Sequence, residues 1–170
     1  MRLATALPLA AGLLLLFGCA NKAHAPVAKT AFLVGHINAP PAPYCAKPPE
    51  LAALDVQGLQ SRLMVTALSC DARDQYNAFV DRYRTMLAAE DKTLASYFAR
   101  NYGGSAQAEH DSYITALANA QSEIGTQEGV TFCEQNIGRF KQVMALPAAQ
   151  LPVYAQAKPI DQPYKFAVCN

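Results

Sequence analysis

Three consecutive polar residues, Glu109, His110 and Asp111, are the closest approach to a catalytic cluster in this sequence. A histidine beside carboxylates could serve as a general base or as a metal ligand. Adjacent residues on a helix diverge by about 100°, however, so these side chains cannot converge on one substrate. The helical pattern turns His110 toward an apolar face and Asp111 toward solvent. We therefore expect His110 to be a partly buried structural residue, with pH sensing and ligand or base chemistry as alternatives.

Glu90 and Asp91 interrupt an apolar stripe that has helical spacing from Tyr76 to Phe98. A carboxylate aimed at a core must be paired or have a raised pKa. The first interpretation, which we prefer, is a kink or break between Ala89 and Lys92, with Asp91 capping the second piece. The second is general acid chemistry. The third is an ion pair with one of three arginines, Arg62, Arg82 or Arg84.

Other signatures of chemistry are missing from the sequence. It has no nucleophile elbow, no glycine-rich phosphate loop and no C-x-x-C. His24 and His36 lack the spacing of a metal site, so we predict neither a metal nor a cofactor. The tyrosines at helical positions could line a groove that grips a peptide or glycan, but we expect core packing; they are Tyr76, Tyr83, Tyr97, Tyr102 and Tyr113.

The segment from Val56 to Cys70 is the element that should organise the rest. It is apolar on two opposite helical faces, and its one charge is Arg62. A helix of this kind is usually packed between others. Further helical patterns follow, with Asp71 and Ser105 as expected N-caps and a break expected at Gly125. The prediction is an all-α bundle of four or five helices.

Proline-rich segments flank this bundle. We assign residues 1–18 to a signal peptide, 19–50 to a tether, 51–146 to the helical domain and 147–170 to an extended tail. The start of the chain has an arginine and then about fifteen apolar residues, which is typical of an export signal. Leu16 to Cys19 resembles the lipobox of bacterial lipoproteins, whose cysteine is acylated. The competing A-x-A site at Ala23 to Ala25 precedes a proline, so we favour lipidation of Cys19.

The cysteine count supports this reading, because five cysteines leave one unpaired in an oxidising compartment. With Cys19 lipidated, four remain and allow three connectivities. Cys70 and Cys133 lie on apolar stripes of separate helices, whereas Cys45 and Cys169 lie in the proline-rich flanks. We therefore prefer the pairs Cys70 with Cys133 and Cys45 with Cys169.

The run LQSRLMVTALSCDARDQYNAFVDRY, from Leu59 to Tyr83, resembles small exported helical proteins of alphaproteobacteria that have no assigned activity. The resemblance extends to about Cys133. It implies an all-α, disulfide-linked periplasmic module, and it implies no functional residue.

Basic and acidic residues nearly cancel, 14 against 13, which disfavours nucleic-acid binding by a general electrostatic field. We expect a non-enzymatic module, lipid-anchored at the periplasmic face of the outer membrane or otherwise soluble in the periplasm. Its role would be envelope structure, assembly or protein binding, with an unknown envelope protein as partner. The alternatives are an acid-stress or holdase chaperone and an enzyme that uses Glu90 or Asp91 on an envelope polymer.

Overall fold

In a computed structural model of the chain, the structure describes residues 45–169, and they form an all-α bundle as predicted. Single turns of 3-10 helix precede two of the helices, at Gly103–Ser105 and Ala148–Gln150. Two short strands, β1 (Cys45–Ala46) and β2 (Ala167–Val168), pair in parallel. The α-helices are α1 (Pro48–Ser69), α2 (Arg73–Tyr102), α3 (Ala106–Glu128), α4 (Val130–Met144) and α5 (Leu151–Ala157). The predicted signal peptide, Cys19, His24, His36 and most of the tether lie outside the described residues.

α1 is the central element, because it packs against each of the other four helices. Prolines occupy its first turn, where the missing backbone N–H removes no helical hydrogen bond. Glu50 then accepts a hydrogen bond from the Lys47 backbone N–H at 2.7 Å. This confirms that the Val56 to Cys70 segment is surrounded. Leu68 is the exception, since it lies in the last turn and is 63% exposed.

α1 and α2 share two apolar clusters, one at each end of the helix pair. One cluster joins the C-terminal half of α1 to the N-terminal half of α2. The other joins the N-terminal end of α1 to the C-terminal half of α2. The first contains Leu59, Leu63, Phe79, Tyr83, Phe140 and Val143, and the second contains Leu54, Leu94, Tyr97, Phe98, Tyr113 and Leu117.

The predicted break between Ala89 and Lys92 is wrong, because α2 continues without interruption through its 30 residues. At about 1.5 Å per residue it is about 45 Å long. It reaches this length because it packs against both clusters in turn. The side chain of Asp91 is 63% exposed and Glu90 is only half-buried, so neither carboxylate enters the core. No buried charge therefore disrupts the helix at this point.

Four smaller expectations are also corrected. Asp71 does not cap α2; it lies in the turn with φ of 53°, and Ala72 holds the N-cap position. α3 ends at Gly129, whose φ is 56°, and not at Gly125. Ser105 is at the N-cap of α3, but its hydroxyl donates to the Tyr102 carbonyl. The tail expected to be extended contains α5, because Pro152 falls in the first helical turn, where proline is accepted.

Two disulfides link the described residues, with the pairing that we preferred from the sequence. Cys70–Cys133 joins the end of α1 to α4, with a Cα–Cα distance of 5.6 Å. Cys45–Cys169 joins residues 124 positions apart, beside the paired strands. Arg100 donates from Nη2 to the Glu50 carboxylate at 2.5 Å and to the Cys45 carbonyl at 3.1 Å. The beginning of the described chain is thus fastened to its end and to α2.

Residues 158–166, which we call the C-terminal strap, lead from α5 to β2. They cross α1 at Gly58, where a Cβ atom would lie 2.8 Å from Gln162 Nε2 and 3.3 Å from Ile160 Cβ. The Gln162 amide also donates to the Leu54 carbonyl at 3.1 Å. A glycine at this position lets the strap lie directly against the backbone of α1.

Gly58→Ala should therefore lower the free energy of unfolding, even though alanine is favoured over glycine in a helix by about 1 kcal/mol. We expect a net loss of about 1–2 kcal/mol, because overpacking of this kind costs about 1–3 kcal/mol. The matched control is Gly138→Ala in α4, where nothing lies within 4 Å of the new Cβ. Urea denaturation should show the control stabilised; stabilisation by Gly58→Ala would contradict the close approach.

Two buried tyrosines on α2 differ in their hydrogen bonds. The Tyr83 hydroxyl lies within hydrogen-bond distance of the carbonyls of Val143 and Leu146, to one of which it donates. The Tyr97 hydroxyl is buried without a hydrogen-bond partner among the described residues. Burial raises the pKa of Tyr97 to about 12. Only Tyr83 uses its hydroxyl to join α2 to the end of α4.

Replacement of each by phenylalanine should separate the two roles. Tyr83→Phe should cost about 1 kcal/mol of stability, the net value of a typical hydrogen bond, while Tyr97→Phe should leave stability unchanged or raise it by about 1 kcal/mol. Thermal unfolding followed by circular dichroism measures both. Equal losses in the two variants would show that Tyr97 has a hydrogen-bond partner in solution.

Candidate functional site

His110 lies on the inward face of α3, as its spacing predicted, and is 8% exposed. Its ring stacks on Phe98 with centroids 4.9 Å apart. Nε2 is 3.8 Å from Asp91 Oδ1, which is too long for a hydrogen bond, and it has no hydrogen-bond partner among the described residues. Asp111 faces solvent. The structure thus brings His110 near Asp91 across α2 and α3, but Glu109 and Asp111 are not part of that arrangement.

The alternative of an ion pair between an arginine and Glu90 or Asp91 is not seen among residues 45–169. Arg84 pairs with Asp81 one turn earlier, and Arg82 donates to the Leu146 carbonyl. Partial burial raises the pKa of the Glu90 carboxyl. Neither Glu90 nor Asp91 lines a cavity described below, so the geometry offers them no enclosed substrate.

Arg62 is buried in the bundle and has a structural role. It is 7% exposed, and its guanidinium lies 5.4 Å from the centre of the Phe132 ring. Its Nε donates to the Gln121 side chain, whose amide donates to the Asp161 backbone carbonyl at 2.8 Å. Burial and then the charge of Arg139 lower the pKa of Arg62. Arg62 therefore connects α1 through α3 to the C-terminal strap.

One opening among residues 45–169 is a cleft between the N-terminal half of α1 and the C-terminal strap, with a volume of about 460 Å³. Ligand pockets typically measure about 300–1,000 Å³. The cleft combines an apolar floor, two carboxylates, one ammonium group and two aromatic rings. Its lining residues are Leu51, Leu54, Asp55, Asp161, Gln162, Tyr164, Lys165 and Phe166.

Asp55 is the unusual member of this lining. It is half-buried, and among the described residues it forms neither a hydrogen bond nor an ion pair. Desolvation raises the pKa of its carboxyl above the ordinary value. A carboxylate that gives up water without a protein partner costs stability. Such a cost is often retained where the group has a function.

Two aromatic rings of the C-terminal strap, those of Tyr164 and Phe166, line the cleft, and we call them its aromatic side. The rings of Tyr164 and Phe166 are 5.1 Å apart, and both lie within 6 Å of the buried Tyr113 ring. Burial raises the pKa of Tyr164 and raises that of Tyr113 still more clearly, so both phenols are neutral at pH 7. The aromatic side therefore adds ring faces to the cleft without adding charge.

The strap that carries these residues is fixed in place. Gln162 accepts a hydrogen bond from the Tyr113 hydroxyl at 2.9 Å and donates to the Leu54 carbonyl. The Cys45–Cys169 bridge and the pairing of β1 with β2 hold its C-terminal end. The cleft is therefore largely formed before any ligand arrives, which reduces the ordering cost of binding.

The residues of this cleft do not stand out in the sequence. Asp55 and Asp161 are 106 positions apart, and no local pattern connects them. One signal was present, because Asp55 is the sole charge between Leu51 and Gln60 in a helix that is apolar on several faces. A charge at such a position must lie beside water or a partner.

Comparison with protein-family models, with curated proteins and with solved structures finds no match. Among residues 45–169, no group of three or more His, Cys, Asp or Glu side chains is placed to hold a metal ion. No helix in the same range combines the length and the apolar character needed to cross a membrane. Assignment of the site therefore depends on the chemistry of the cleft.

Asp55→Asn should raise stability at neutral pH and have no effect in acid. Because the folded-state pKa of Asp55 is raised, the cost of its charge is present above that pKa and disappears as the pH falls below the unfolded value. The expected gain at pH 7 is less than about 1 kcal/mol, since the carboxylate retains contact with water. Urea denaturation at pH 7 and pH 3 measures it.

Asp111→Asn, on the exposed face of α3, is the matched control and should show no comparable gain at pH 7. A gain from Asp55→Asn that persisted unchanged at pH 3 would mean that the shape of the amide, and not the lost charge, stabilises the variant.

Proposed function

We propose that the protein is a non-enzymatic, exported module that is lipid-anchored through Cys19 at the periplasmic face of the outer membrane. Its role there is envelope structure, assembly or protein binding. The observation that carries the proposal is the complete pairing of Cys45, Cys70, Cys133 and Cys169. Of the five cysteines in the chain, only Cys19 remains, and it occupies the lipobox position.

The two disulfides support export directly, since such bonds form and persist in oxidising compartments. The lipid follows from the sequence around Cys19 and from the proline after the competing A-x-A site. Several acyl chains on one cysteine would give a firm anchor, whereas one chain binds a membrane only marginally. The resemblance of Leu59 to Tyr83 to exported alphaproteobacterial proteins agrees with this location.

Binding is favoured over catalysis by the placement of the polar groups. The carboxylates proposed for an enzyme, Glu90 and Asp91, lie on α2 outside the cleft, and Asp91 is mostly exposed. The cleft itself has a rigid wall, an apolar floor and an unpaired carboxylate. These features suit recognition of a charged side chain or small molecule more than bond cleavage.

Lipidation can be tested by mass spectrometry of the full chain expressed in a bacterium that has an outer membrane. We expect a mature N-terminus at Cys19 that carries acyl chains, and recovery of the protein with outer-membrane fractions. Cys19→Ser should abolish both. Ala25→Leu, which blocks the competing A-x-A site, should leave lipidation unchanged. A mature chain that begins at Pro26, or an unmodified Cys19, would refute the anchor.

A further inference from the structure

The cleft beside α1 presents carboxylates and aromatic rings to whatever occupies it. We propose that it binds a primary alkylammonium group, with Asp55 as counter-ion and the rings of Tyr164 and Phe166 as the aromatic wall. The chemistry is that of a lysine side chain or a free alkyl diamine. The inference deepens the proposed function, because it assigns a ligand class to the binding module, but it does not require the lipid anchor.

The charges of the lining favour a cation. Two carboxylates, Asp55 and Asp161, face one ammonium group, that of Lys165. Asp161 is within the electrostatic influence of Arg62, which offsets part of its charge. Asp55 has no such neighbour, and Lys165 forms no ion pair with either carboxylate within the described chain. An incoming ammonium group would therefore supply the partner that Asp55 lacks.

The aromatic side adds a second attraction for the same charge. A cation placed over the face of an aromatic ring is attracted to the electron-rich face, and more strongly where water is excluded. The rings of Tyr164 and Phe166 both line the cleft and both have such a face. The protein already uses such contacts elsewhere, with Arg62 over Phe132 and Arg100 over Tyr97.

The floor of the cleft selects for an aliphatic chain behind the charge. Leu51 lies one helical turn before Asp55 on α1 and is half-buried, with the buried Leu54 beneath it. Methylene groups of a lysine side chain or diamine would cover this surface and lose contact with water, which favours binding. A bare metal ion would gain nothing from that floor, and the aromatic wall offers it no ligand. The combined lining thus matches an amine on a short hydrocarbon chain.

Isothermal titration calorimetry on the full chain in detergent would test the proposal with two probes. They are 1,5-diaminopentane and the blocked peptide acetyl-Ala-Lys-Ala-amide, and the same peptide with acetylated lysine is the neutral control. We expect saturable binding of at least one charged probe, with no binding of the acetylated peptide. Binding of the diamine alone would indicate a free amine as ligand, and binding of the peptide would indicate a lysine side chain of a partner.

Asp55→Asn should weaken binding at pH 7 by at least about tenfold, because it removes the counter-ion. The variant is expected to be at least as stable as the parent, so lost binding would not reflect unfolding. Lys165→Met should strengthen binding several-fold by removing a like charge. Glu134→Gln, on an exposed part of α4 outside the lining, should change nothing.

Failure of both charged probes to bind, or binding that Asp55→Asn does not weaken, would overturn the assignment. That result would leave the lipid anchor untouched, because Cys19 is not part of the cleft. Conversely, Cys19→Ser retains every lining residue, so a protein without lipid should still bind the amine if the assignment is right.

Discussion

The covalent closure of the described chain on itself is the constraint on which the other features depend. Cys45 and Cys169 hold together two segments that are separated by nearly the whole bundle. A bridge across so long a loop removes much of the freedom of the unfolded chain, by about 4–5 kcal/mol in the entropy model. Glu50 and Arg100 then join the same corner to α2. Without this closure, the strap would be held only by non-covalent contacts: its side-chain hydrogen bonds, the contact at Gly58 and the packing of Tyr164 and Phe166 on the second apolar cluster.

α1 can be apolar on several faces because other elements cover nearly all of them. Helices cover most of its length, and the strap covers the side marked by Gly58. The two charged residues in its middle are treated differently. Arg62 is satisfied by Gln121 and by the Phe132 ring, so its burial is compensated. Asp55 receives no such compensation within the described residues, and it lies where the strap leaves an opening. The burial of Arg62 is therefore structural, whereas the uncompensated carboxylate of Asp55 marks the cleft as the candidate binding site.

Much of the bundle follows from local patterns, while the cleft does not. The apolar spacing of α2, α3 and α4 is visible in the sequence, and the setting of each cysteine was enough to indicate its partner.

The errors came from residues whose environment is decided by packing. Glu90 and Asp91 suggested a break, but Glu90 is only half-buried and Asp91 is mostly exposed. Gly125 suggested an end but lies inside α3, where an added Cβ atom would be 3.6 Å from the Phe132 ring. Pro152 concealed α5 because proline is accepted in a first turn. Asp55 meets Asp161 and Tyr164 only through the tertiary fold, so no window of sequence could combine all three.

The position of Cys45 has a mechanical consequence. Any tension applied to the chain that precedes it arrives at a residue bonded both to the start of α1 and, through its sulfur, to the far terminus. The load would therefore divide between α1 and β2. The hydrogen bonds at the N-terminal end of the bundle would not break one after another. Because the disulfide is much stronger than the hydrogen bonds around it, β1 and β2 would have to leave the bundle together. A domain built in this way can carry a pull from one end while its cleft keeps its shape.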